Sequence, residues 1–188
     1  MLETYGDRVR FVFKHNPLSF HDKALLAAEA SMAAAAQGKF WEYHDKLFEN
    51  QQMLDRASLE SYAEELGLDM ARFKADLDNH AHLAHIRADQ EEAAEVKASG
   101  TPTFFVNGRK LEGNSFDDFK AIIEEEVAAA RKLLDKGTAP EALYDTIIAK
   151  GKVFKPLEDT VHTFDLKGSP AMGKAPARIT IVEFSDFQ

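Results

Sequence analysis

Cysteine is missing from the 188 residues, which removes disulfides, thiolate nucleophiles and thiolate metal sites together. Basic side chains are in deficit, with 23 Lys and Arg against 32 Asp and Glu for a formal charge of -9. That balance argues against a nucleic-acid partner, whose affinity rests on Lys and Arg neutralising phosphates. It disfavours anionic membrane surfaces for the same reason. No apolar run approaches the ~18–20 residues that span a bilayer, and residues 1–10 hold no apolar signal-peptide core. Neither a Gly-rich phosphate loop nor a Ser/His/Asp signature occurs.

What is present is an ordinary globular composition, 45% hydrophobic, with fourteen Phe against one Trp. The length fits one domain with a substantial core, filled largely by phenylalanine. Residues 8–14 read Arg-Val-Arg-Phe-Val-Phe-Lys, with Val9, Phe11 and Phe13 on one side and Val12 opposite. This near-alternation predicts a mostly buried strand ending at His15-Asn16-Pro17. The Ala-rich stretch 21–37 has no helix breaker and is followed by Gly38, where a C-cap belongs. Further helices are expected over 40–52, 58–66 with Ser58 as its cap, 70–77 and 81–98.

The pattern then changes. Thr103-Phe-Phe-Val is a short β run, Asn107-Gly108 is a hairpin turn signal, and 109–112 returns. Ser115, followed by Asp117 and Asp118, caps a long helix that stops at Gly137. An amphipathic helix is expected over 140–150, then a Gly-, Pro- and Lys-rich linker over 151–177 with a short strand at 161–166. Residues 178–184 form a clean strand. Strands bracketed by helices predict an α/β fold with helices covering a sheet.

The most informative segment is Gly100-Thr101-Pro102-Thr103-Phe104-Phe105-Val106-Asn107-Gly108. A proline directly before a buried strand cannot donate to the ladder, so the chain must turn there. This segment resembles the cis-proline loop and hairpin of DsbA-like thioredoxin-fold thiol–disulfide oxidoreductases. Ile181-Val-Glu-Phe-Ser-Asp-Phe-Gln188 resembles the strand leading into that family's Cys-x-x-Cys motif, which would begin at the next residue. Residues 5–18 resemble the strand after the Cys-x-x-Cys helix. The block containing Gln37-Gly-Lys-Phe-Trp-Glu-Tyr-His-Asp-Lys-Leu-Phe resembles the family's helical insertion.

The resemblance implies a thioredoxin-like fold with a DsbA-type helical insertion, circularly permuted, with the active-site helix missing. A piece cut from a tandem array of such repeats fits the long linker better than a permutant does. The expected organisation is one compact domain: 1–136 for the second strand, helical insertion, proline loop, hairpin and helix, 137–177 for a helix and linker, and 178–188 for the first core strand. That strand should dock beside residues 8–14, in its own chain or in a swapped partner.

By resemblance, Thr101 and Pro102 contact a substrate peptide, Glu183 is a possible proton relay beneath the missing disulfide, and the setting is periplasmic or envelope. A carboxyl on an apolar strand, if buried, has the raised pKa such a relay needs. The family's disulfide exchange requires sulfur that these residues lack, so the chain itself is expected to be redox-inactive. The alternatives are a peptide-binding module and a structural or domain-swapped homo-oligomer. No cofactor is expected. A metal site is not expected either: His80, His82 and His85 spread by more than about 100° around a helix and do not converge. His44 is expected to pack near Trp41.

Overall fold

The computed structural model describes residues 2–111, 113, 115–149, 161–174 and 176–187. Residues 150–160 of the expected final helix and linker, and Gln188 of the terminal motif, lie outside the described residues. The elements in order are α1 (Leu2–Tyr5), β1 (Val9–His15), α2 (Ala24–Ala35), α3 (Phe40–Glu49), α4 (Arg56–Glu65), α5 (Met70–Asp78) and α6 (Leu83–Glu95). They continue with β2 (Thr103–Val106), β3 (Arg109–Lys110), α7 (Phe116–Asp135), α8 (Leu143–Ala149), β4 (Ala171–Met172) and β5 (Ile179–Ser185). Contacts divide the chain into two compact units, Met1–Phe13 with Thr103–Glu183, and Lys14–Pro102 with Phe184–Gln188.

The first unit is built on a five-stranded sheet in the order β3-β2-β5-β1-β4. The C-terminal strand β5 therefore inserts between β2 and β1 of its own chain. Its Ile179, Ile181, Val182 and Phe184 are all fully buried. Apolar side chains of α7 close over the sheet: Phe119, Ile122 and Ile123 pack with Val9, Val106, Leu111, Ile179 and Ile181. The period-3.6 apolar stripe of α7 thus meets the period-2 inward positions of the strands.

The hairpin turns at Asn107 and Gly108, with φ of 50° and 79°, the left-handed pair that a tight hairpin requires. Gly108 has a second reason to be glycine, since a Cβ there would stand 2.6 Å from the His162 carbonyl oxygen. Ser115 caps α7 in a full capping box with Asp118.

Three details depart from the sequence reading. The α4 cap is Asp55, whose carboxylate accepts from the backbone N–H groups of Ala57 and Ser58 at 3.1 Å; Ser58 lies inside the first turn. The helix starts two residues early because an Asp satisfies its orphan donors first. The strand expected over 161–166 reduces to a single bridge between Val161 and Arg109. The later linker instead contributes β4, which pairs antiparallel with β1 through Phe11 opposite Met172 and Val12 opposite Ala171. Two residues beside Gly and Pro carry no alternation that would reveal a strand.

The second unit is helical. Helix α2 contacts α3, α4, α5 and α6, and its Ala24, Ala27, Ala28, Ala30, Ala33 and Ala34 are buried. Alanine removes side-chain bulk on every face, which lets four helices approach one axis. The seven-residue β1 runs from the sheet unit into this one at Lys14 and His15.

Candidate functional site

The end of β1 and the turn after it carry the densest polar chemistry of the helical unit. Lys14 is buried, and its ammonium donates to Asp89 Oδ1 and Glu92 Oε2, both at 2.6 Å. Burial alone would depress Lys14. The two carboxylates outweigh it and leave its pKa above the ordinary lysine value. The second Asp89 oxygen accepts from the His15 backbone N–H at 2.9 Å, and His85 Nε2 stands 3.5 Å from that oxygen. Asp89 and Glu92 are three residues apart on α6 and so share a face.

His15 is fully buried, its ring 6.2 Å from Phe40 and 6.1 Å from Phe187. Burial first, and then the positive charges of His85, Lys14, His44 and His82, lower its pKa from 6.5 to about 3. The unfolded chain binds a proton there and the folded chain does not. Between those two values stability must therefore fall as pH falls, by up to about 1.4 kcal/mol per pH unit; above 6.5 the residue adds no pH dependence. Urea unfolding should show a loss of about 2 kcal/mol from this group between pH 6.5 and pH 5. The variant His15→Leu should remove that slope. Parallel slopes for wild type and variant would exclude His15 as its source.

Phe187 is also fully buried, against Phe48 at 5.3 Å and His44 at 5.8 Å. His44 packs on Trp41 at 5.2 Å, and burial lowers its pKa despite the hydrogen bond to Asp45. The carboxylate of Asp186, buried beside Phe187, accepts from the Leu18 N–H at 3.1 Å and meets His21 Nδ1 at 2.9 Å.

Asn16 joins the pieces. Its backbone N–H donates to Ser185 O at 2.7 Å and its side-chain amide to Ala98 O at 2.9 Å. Ala98 is buried and leads into the exposed arc Ser99, Gly100 and Pro102, with Thr101 half-buried. The Thr101-Pro102 peptide bond is cis. Among the described residues, neither backbone group of Thr101 has a hydrogen-bond partner.

Thr101 and Pro102 thus belong to the helical unit. Glu183 belongs to the sheet unit, where it is the one half-buried position of β5. The three clustered histidines diverge: His80 meets Glu29 at 2.9 Å, His82 meets Asp76 at 3.6 Å and His85 meets Asp89. Among the described residues no group of three or more His, Asp or Glu is placed to hold a metal ion. Sequence reasoning missed Lys14, Asn16, Asp89, Glu92 and Asp186. The only local signal was polarity at the end of a buried strand and immediately before Pro17.

Residues 2–124 match the family model described as DSBA-like thioredoxin domain. Among curated proteins, the chain is 46% identical over 110 residues to a Na(+)/H(+) antiporter NhaA of Herminiimonas arsenicoxydans, which covers 58% of this chain and 17% of that protein. It is 42% identical over 135 residues to Na(+)/H(+) antiporter NhaA 3 of Salinispora tropica, covering 71% of this chain and 21% of that protein. The chain therefore spans about a fifth of the length of these relatives. No solved structure matches it. Among the described residues, no helix is long and apolar enough to cross a membrane.

Proposed function

We propose that this chain, which belongs to the DSBA-like thioredoxin domain family, holds an extended protein segment at its proline loop without exchanging disulfides. The family is one of thiol–disulfide oxidoreductases. Its dithiol cycle needs a thiolate at each step, and the 188 residues contain no cysteine. The observation that carries the binding half is the backbone of Thr101, whose N–H and C=O have no partner among the described residues. An added extended segment satisfies such groups by main-chain hydrogen bonds, with affinity that depends little on side-chain identity.

In this reading Thr101 supplies the donor and acceptor and Pro102 fixes the loop's exit, while Glu183, a proton relay by family resemblance, has no thiol to serve. A periplasmic or envelope setting is part of the same proposal, on family resemblance. So is the idea that the antiporter-named relatives carry a DSBA-like module within longer chains, since the family match and their identity fall in one chain. The ion exchange in their names is not proposed for these residues.

The test is a titration with a fluorescent, carboxamidomethylated insulin B chain, an extended peptide that has no free thiol. The variant Thr101→Pro removes the N–H donor and leaves the partner's carbonyl unsatisfied. It should weaken binding by about tenfold or more, while insulin reduction stays at the uncatalysed rate for both proteins. Equal affinity in wild type and variant would overturn the assignment of the loop.

A further inference from the structure

We infer that Asn16 is the positioning residue of the proline loop, fixing Ala98 against the end of β5. This deepens the peptide-binding reading and rests on it. Three chain segments far apart in sequence meet at this one residue, which is buried at 7% exposure. Its backbone belongs to the exit of β1, its N–H holds Ser185 O at 2.7 Å, and its amide holds Ala98 O at 2.9 Å.

The neighbouring bonds explain why Asn16 itself does not drift. His15 N–H is held by Asp89 at 2.9 Å, Pro17 O accepts from Gln90 Nε2 at 2.7 Å, and Leu18 N–H is held by Asp186 at 3.1 Å. The residues on both sides are thus fixed by separate side chains, and the Asn16 amide is the group that reaches the loop.

On the loop side, the chain leaves α6 with Val96 and Ala98 buried, and their N–H groups bonded to Glu92 O at 3.1 Å and Ala93 O at 2.8 Å. Lys97 between them has a φ of 57°, so the chain reverses there in a conformation that non-glycine residues seldom adopt. Beyond Ala98 the arc is exposed, and Thr101 has no hydrogen bond to another described residue. The Asn16 bond thus anchors the chain three residues before Thr101. Ordering a loop before its ligand arrives removes entropy that binding would otherwise have to overcome.

The experiment compares wild type with Asn16→Ala, Asn16→Asp and Tyr43→Phe. Asn16→Asp keeps the size and the backbone donor but sets a carboxylate against the Ala98 carbonyl, and it carries the comparison should Asn16→Ala not fold. Tyr43→Phe removes the buried 2.8 Å bond to Leu59 O elsewhere in the same unit and controls for general destabilisation.

Two readouts are taken: amide exchange at Val96, Lys97 and Ala98, and affinity for the carboxamidomethylated insulin B chain. Both Asn16 variants should speed exchange at these three amides and weaken the peptide by about five- to tenfold. Asp should be the worse of the two, and the Tyr43 control should do neither. Unchanged loop exchange and affinity in both Asn16 variants would overturn the inference, as would Asn16→Asp being milder than Asn16→Ala. If wild type fails to bind the peptide yet the Asn16 variants loosen the three amides, the binding reading fails and the positioning of the loop by Asn16 stands.

Discussion

Replacing Glu126 with alanine is expected to cost about 3–5 kcal/mol of folding stability, because it removes one half of a buried ion pair. Arg109 and Glu126 expose only 2% and 1% of their side chains and meet at 2.6 Å. The same carboxylate accepts from the Asn107 amide at 3.2 Å. Asn107 in turn stitches the hairpin to β5, donating its N–H to Thr180 O and accepting from Thr180 N–H, each at 2.8 Å. One substitution on α7 thus takes a buried carboxylate from the guanidinium and loosens the corner where hairpin, helix and β5 meet. Glu125, 3.7 Å from the other guanidinium nitrogen but 43% exposed, is too hydrated to replace it. Removing both charges, as Arg109→Met with Glu126→Leu, should recover most of the loss, since the desolvation penalty disappears with the pair. Urea unfolding of the two singles and the double decides the matter. A loss under about 1 kcal/mol for Glu126→Ala would show that the pair contributes little.

Lys14→Met is expected to cost a similar amount, about 3–5 kcal/mol, in the helical unit. Two carboxylates stand 2.6 Å from the ammonium, so its removal leaves Asp89 and Glu92 facing each other with their shared counter-ion gone. The His15 N–H still reaches Asp89 and limits the damage to that side. The pKa of Lys14 is raised above 10.5 in the folded chain. Its contribution is therefore complete below that value and is lost as pH rises through the folded pKa. Wild type should lose stability in alkaline solution where Lys14→Met does not. A variant as stable as wild type at neutral pH would refute the role given to the cluster.

Much of the fold was legible because its signals are local. The alternation in residues 8–14 marked β1, Asn107-Gly108 marked the hairpin, and Ser115 with Asp118 marked the start of α7. Helices α2, α3 and α6 appeared with ends trimmed by two or three residues, α5 kept its start, and α4 began two residues early because Asp55 outcompeted the cap chosen from sequence. β4 was not legible, because two residues flanked by Gly and Pro show no period. The candidate site divides in the same way. The proline loop stood out as a contiguous motif and Glu183 as a charge in an apolar strand. The links that fix the loop's surroundings did not: Lys14 to Asp89 spans 75 positions and Asn16 to Ala98 spans 82, and no periodicity encodes such distances. Tertiary hydrogen bonds of this kind are read only once the strand exit and α6 are placed side by side.

The most direct test of the binding proposal is rapid-quench amide exchange at Thr101, with and without a saturating concentration of the carboxamidomethylated insulin B chain. The expected result is fast exchange in the unbound chain and clear slowing at Thr101 when peptide is bound, from the new main-chain hydrogen bond. Saturable binding that leaves Thr101 exchange unchanged would contradict the proposal, because the peptide would then be held somewhere other than the proline loop.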